Sequence, residues 1–64
     1  MSTPLDTLPK IGAPATRALQ GAGYHALRQL AGVSRDELAR LHGMGPKALR
    51  IIEAALEEHH LRLG

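Results

Sequence analysis

Apolar and polar positions follow a helical period over the last third of the chain. Ala48, Leu49, Ile52, Ala55 and Leu56 recur at three-and-four spacing and form one stripe, while Lys47, Arg50, Ala54, Glu57 and Glu58 face the other way. Pro46 stands where the pattern begins, and proline favours the first helical position because its missing N–H has no partner to lose there. The pattern predicts a helix from Pro46 to about His59. His60 falls where a helix hands over to a left-handed residue, and Leu61 and Leu63 are expected to fold back onto the core. Upstream, Ala13 to Gln20 reads as a short helix ended by Gly21-Ala22-Gly23, with one glycine as the left-handed cap. Tyr24 to Ala31, with Leu27 and Leu30 three apart, reads as a brief second helix closed by Gly32. Ser34-Arg35-Asp36-Glu37 spells a capping box, in which Ser34 accepts from the Glu37 N–H and Glu37 reaches back to the Ser34 N–H. Val33 and Leu38 stand at the positions of the accompanying apolar contact, and Leu38 and Leu41 carry that face toward Gly43. Residues 1–7, with Ser2, Thr3, Pro4 and Asp6, are expected to be a flexible segment that frays or forms a single turn, leaving 8–64 as the domain.

The chain echoes itself. Leu8 to Leu19 lines up with Leu41 to Ile52 at one constant offset, and Leu, an apolar residue, Gly, Ala, Arg and a closing apolar residue recur in register. Such a repeat points to two copies of one turn-then-helix unit packed about a pseudo-twofold axis. The predicted architecture is all-α: a compact bundle of four to five short helices in two related units.

Composition narrows the picture. A chain of 64 residues holds one small domain, near the lower limit at which a core suffices without disulfides or metal. It has no cysteine, which excludes a disulfide framework and a thiolate metal site. Tyr24 is the only aromatic residue, so the core is built from Leu, Ile, Val and Ala, and the scarcity of β-branched and aromatic residues argues against a sheet. No apolar run is long enough to span a bilayer and no basic region precedes an apolar stretch at the N-terminus, so a soluble protein of the cytoplasm is expected.

The net charge of +2 says little by itself, but its distribution says more. Arg40, Lys47 and Arg50 lie in a stretch without an acid, while Glu53, Glu57 and Glu58 come after it. Within the same stretch, Gly43-Met44-Gly45 runs straight into the helix start at Pro46. Glycines let the backbone approach a ligand closely, and the free N–H groups and positive dipole end of a helix start favour an anion. Lys47 and Arg50 add charge at that end. This is the chemistry of a clamp for nucleic-acid phosphates.

Leu41-His42-Gly43-Met44-Gly45-Pro46-Lys47-Ala48, set between two helices, resembles the helix-hairpin-helix motif. The resemblance implies that the hairpin amides hold a DNA phosphate from the minor-groove side without reading bases. It also implies close approach at Gly43 and Gly45, Met44 plugged into the core, and a charge from Lys47. The first turn, Lys10-Ile11-Gly12-Ala13, keeps the second glycine but has lysine for the first, and Pro14 stands where the second copy has Lys47. It is expected to serve mainly as a packing partner, with Lys10, Gly12 and Arg17 as secondary contacts.

A longer resemblance, from Leu19 through Gly64, is to the C-terminal domain of the bacterial RNA polymerase alpha subunit. It is carried by residues 22–31, the capped stretch 34–41, the hairpin 43–49 and the closing 61–64. That family binds the minor groove of promoter DNA and contacts transcription activators. Its hairpin glycine and the following basic residue match Gly45 and Lys47. Its serine is Ala48 here, and its principal arginine falls near Ala13 or Pro14, with Arg17 one turn on.

Histidines and acids add no second chemistry. His59 and His60 are adjacent and point about 100° apart on a helix, His25 reads as helix surface or a cap, and His42 flanks the hairpin, either as plain surface or as a phosphate contact when protonated. Ser34 is explained by capping, and no His/carboxylate constellation is specified, so no catalytic residue, metal or cofactor is expected. The predicted function is non-sequence-specific binding of double-stranded DNA by a monomer, through Gly43, Met44, Gly45, Lys47, Arg50 and Arg40, with Lys10, Gly12 and Arg17 in support. The alternative is a helical protein-interaction adaptor, associated with the transcription machinery, that presents a helix face to a protein partner.

Overall fold

A computed structural model describes residues 3–64, and Met1 and Ser2 lie outside the described residues. The elements are α1 (Ala13–Gly21), a single-turn 3₁₀ helix (Leu27–Leu30), α2 (Arg35–Ala39) and α3 (Pro46–Glu57). The described chain is therefore all-helical, with three α-helices and one 3₁₀ turn where the periodicity suggests four to five helices. Among the described residues there is no strand.

Leu19, Leu27, Leu30, Leu38, Ile52 and Leu56 are fully enclosed, and every element contributes to that core. Burying one such side chain is worth about 1.5–3 kcal/mol. The buried side of α3 is Ala48, Leu49, Ile52, Ala55 and Leu56, the stripe that its period marks out. Val33, Leu41, Met44, Leu61 and Leu63 pack around the same cluster.

Both long helices end alike. In α1 the Tyr24 N–H reaches the Leu19 carbonyl at 2.8 Å and the Gly23 N–H reaches Gln20 at 3.1 Å, with Gly23 at φ 95°. In α3 the Leu61 N–H reaches Leu56 at 2.9 Å and the His60 N–H reaches Glu57 at 3.0 Å, with His60 at φ 59°. Each pair of bonds is a Schellman motif around a left-handed residue, which satisfies carbonyls that the helix leaves over. The α-helix itself stops at Glu57, two residues short of His59, because this closing pair replaces the regular ladder.

The stretch Tyr24–Ala31 is not an α-helix. The Gln29 side-chain oxygen accepts from the N–H groups of His25 (2.6 Å) and Ala26 (3.1 Å), and Ala26 is extended at φ −147°. Only Leu27–Leu30 then turns, and it is held from outside: Leu27 N–H donates to the Thr7 carbonyl at 2.9 Å and Arg28 N–H to Leu5 at 3.1 Å. Residues 4–7 form one turn, closed by Thr7 N–H on the Pro4 carbonyl at 3.3 Å. Leu5 and Leu8 pack on the core, and Asp6 pairs with Arg28. At the far end of this segment Thr3 is tied to α3, its N–H to Glu58 at 3.1 Å and its carbonyl to His59 Nε2 at 2.6 Å.

Half of the capping box forms. Ser34 Oγ accepts from the Glu37 N–H at 3.4 Å, and among the described residues Glu37 returns no bond to the Ser34 N–H. The C-terminal segment contributes instead: the Gly64 carbonyl accepts from Arg35 N–H at 3.4 Å, and Gly64 N–H donates to Val33 at 2.8 Å. Ser34→Ala is expected to lower stability by about 1 kcal/mol, since a helix-start donor loses its acceptor. Thermal unfolding followed by circular dichroism measures this. An unchanged melting midpoint would mean that the Gly64 carbonyl carries the cap alone.

Candidate nucleic-acid interface

The second hairpin is built where α2 runs out. Leu41 N–H closes on Leu38 and Met44 N–H on Leu41 at 3.0 Å, so Leu41–Met44 is a tight turn. Gly43 sits at its third position with φ 94°, the conformation that glycine adopts without steric cost. Met44 then drops against the core cluster. Gly45 is extended (φ −108°, ψ 172°) and caps α3, whose first helical bond is Leu49 N–H to the Gly45 carbonyl at 3.1 Å.

That geometry leaves donors over. Among the described residues the N–H groups of Gly43, Gly45, Lys47 and Ala48 have no protein acceptor. Gly43 and Lys47 are exposed and Gly45 is half-buried. With the dipole of a twelve-residue helix behind them, these donors suit a phosphate oxygen.

The first hairpin is related but different. Gly12 caps α1 and carries φ 93°, so the left-handed glycine stands one residue before the helix rather than three, as Gly43 does before α3. Pro14 occupies the second helical position, removing the donor and the charge that Lys47 supplies in the other copy.

Tertiary contacts sort the cations. Arg28 pairs with Asp6, and Arg35 with Glu53 at 3.2 Å. Lys10, Arg17, Arg40, Lys47 and Arg50 are all exposed, and among the described residues none of them, nor Arg62, has an ion-pair partner. The five cations singled out by position are thus uncommitted, and the two that are tied up lie elsewhere. Neither ion pair nor free cation is visible in residue spacing alone.

The structure also regroups the sites. Gly43 lies against α1: a Cβ there would stand 2.8 Å from the Pro14 carbonyl oxygen. Pro14, Arg17 and Ala18 line a cleft of about 400 Å³ with His42 and Gly43. Arg17 therefore faces the second hairpin, not the first turn with which its position in the repeat groups it. His42, read in the sequence as a flank of the hairpin able to contact a phosphate when protonated, lines the same cleft. Lys10 opens onto a different cleft, with Pro9, Leu8 and Ile51 of α3. Among the described residues no three His, Asp or Glu side chains gather where they could hold a metal ion, and no helix is long and apolar enough to cross a membrane.

Two short turns, each leading into a helix, with the second resting on Pro14 of α1, fit a pair of motifs and not a lone one. The family model for the SAM-like helix-hairpin-helix tandem matches residues 2–57. The chain belongs to this family. Comparison with curated proteins and with solved structures gives no match. For the tandem helix-hairpin-helix chain, the match takes in residues 4–7, both turns, the 3₁₀ helix and all of α3.

Proposed function

We propose that this tandem helix-hairpin-helix chain is a non-sequence-specific module for double-stranded DNA that holds backbone phosphates from the minor-groove side. The observation that carries the reading is the set of N–H groups at Gly43, Gly45, Lys47 and Ala48 that have no acceptor among the described residues, with the exposed cations Lys47 and Arg50 at the start of α3, Arg40 at the end of α2 and Arg17 in the cleft beside Gly43. Nucleic-acid binding is common in this family. Backbone donors and short cationic stems position a protein on a duplex but carry no sequence information. We read the domain as a monomer of the cytoplasm that needs no metal, cofactor or catalytic step.

Packing supports the pseudo-twofold relation of the two units. Ala18 of α1 shares a cleft with His42 and Gly43, and at the matching positions of the repeat Ile51 of α3 shares one with Pro9 and Lys10. Leu5, Leu8, Ile11 and Leu19 pack on the core at the positions matching Leu38, Leu41, Met44 and Ile52. The finer likeness to the polymerase alpha domain rests on Gly45 and Lys47. Ala48 and the uncharged Ala13-Pro14 start of α1 favour phosphate holding over promoter readout.

The test is a titration of labelled duplex at several salt concentrations. The longest dimension of 27 Å spans roughly eight base pairs at about 3.4 Å each, so few phosphates are within reach. With roughly two to four of them neutralised, log K against log salt is expected to slope at about −2 to −4. Scrambling the duplex at fixed composition is expected to change affinity only a few-fold. A flat salt response would remove the reading and move the adaptor alternative forward.

A further inference from the structure

His42 is the one titratable side chain in the cleft between α1 and the second hairpin that the phosphate reading does not use. The cleft is lined by Pro14, Arg17, Ala18, His42 and Gly43, and His42 is exposed. Among the described residues its ring makes no hydrogen bond and no ion pair. The other histidines are placed elsewhere: His59 bonds the Thr3 carbonyl, His60 closes α3, and His25 precedes the 3₁₀ helix.

Arg17 of α1 is the one other charged group lining the cleft, and no acid lines it; along the chain Arg40 is the nearest charge, with Glu37 and Lys47 five residues away on either side. Arg17 lies three residues along α1 from Pro14, on the same face and about 4.5 Å further along the axis, and helical side chains lean back toward the N-terminus. It therefore leans toward the Gly43 turn, which rests on Pro14. Histidine changes charge between about pH 5 and 8. A phosphate lodged between Arg17 and His42 is held by a charge-assisted bond from the protonated ring.

We propose that duplex binding by this domain is linked to protonation of His42, whose imidazolium holds a backbone phosphate together with Arg17 in the cleft beside Gly43. The inference rests on the DNA-backbone reading above. Its sign is fixed: the complex takes up a proton, so affinity rises as pH falls.

The test measures duplex affinity from pH 8.5 to 5.5 at constant ionic strength, by fluorescence anisotropy, for the wild type and His42→Gln, with thermal melts at each pH to confirm folding. The wild type is expected to tighten about fivefold across the range. His42→Gln is expected to change its own affinity by no more than about twofold across the range, which separates the histidine from carboxylates that begin to titrate at the acid end. His25→Gln serves as a second variant and is expected to keep the full pH response. A pH response that survives in His42→Gln overturns the proposal, as does a wild type that binds duplex equally at both ends of the range. A wild type that binds no duplex at any pH overturns the DNA reading and this linkage together.

Discussion

Gly43→Ala is expected to destabilise the domain by about 2–5 kcal/mol. Two independent costs meet there. The residue holds φ 94°, which an L side chain adopts at roughly 1–2 kcal/mol. The added methyl would also stand 2.8 Å from the Pro14 carbonyl oxygen and 3.0 Å from its carbon, and backbone atoms of a helix do not move aside cheaply. Overpacking of that kind costs about 1–3 kcal/mol. At roughly 4–8 °C per kcal/mol for a domain of this size, the melting midpoint falls by 10 °C or more. Gly45→Ala is the paired control. Gly45 has φ −108° and no heavy atom near its missing Cβ, so stability is expected to change by less than about 1 kcal/mol. Its duplex affinity is nevertheless expected to drop about fivefold, because the methyl enters the space that a phosphate occupies. A Gly43→Ala variant that melts like the wild type would show that the second hairpin does not rest on α1.

The second large effect falls on binding and spares the fold. Lys47 is the second residue of α3 and Arg50 the fifth, while Glu57 and Glu58 stand at its other end. A charge of the wrong sign within a terminal turn opposes the helix dipole by roughly 0.3–1 kcal/mol at an exposed site, and Arg50, just past the first turn, contributes less. Neither cation has an acid partner among the described residues to compensate. A helix shaped for stability alone carries acids first and bases last, so cations at an already positive end point to an anion that docks there. Replacing both with alanine is expected to leave thermal stability unchanged or slightly raised. Duplex affinity is expected to fall by about tenfold or more, and the salt slope to flatten by about one to two. Melting and titration of the same variant read both quantities. A variant that unfolds would show instead that the aliphatic stems pack over the core. A variant that binds as before would move the clamp away from α3.

Features set by near neighbours along the chain were legible in the sequence. The α3 stripe appears in its period because residues three and four apart share a helix face, and all five of its members are buried. Ser34 reads as a cap because its acceptor and the Glu37 donor are three residues apart. Gly21-Ala22-Gly23 and His60 read as helix ends because left-handed turns, at Gly23 and His60, close onto the helix just before them. Packing between distant segments decided the rest. A three-residue spacing of Leu27 and Leu30 fits both a 3₁₀ turn and an α-helix, and the choice fell to donors taken by the Leu5 and Thr7 carbonyls. Arg28 and Arg35 are committed to acids 22 and 18 residues away, which is why charge spacing does not tell a free cation from a paired one. Gly43 and Gly45 look interchangeable as letters, yet only Gly43 meets α1, because the second turn folds back onto Pro14. The same fold brings Arg17 and His42 to one cleft from opposite halves of the chain. Local periodicity and capping chemistry specify helices and their ends, while close approach between segments exists only once the core has drawn them together.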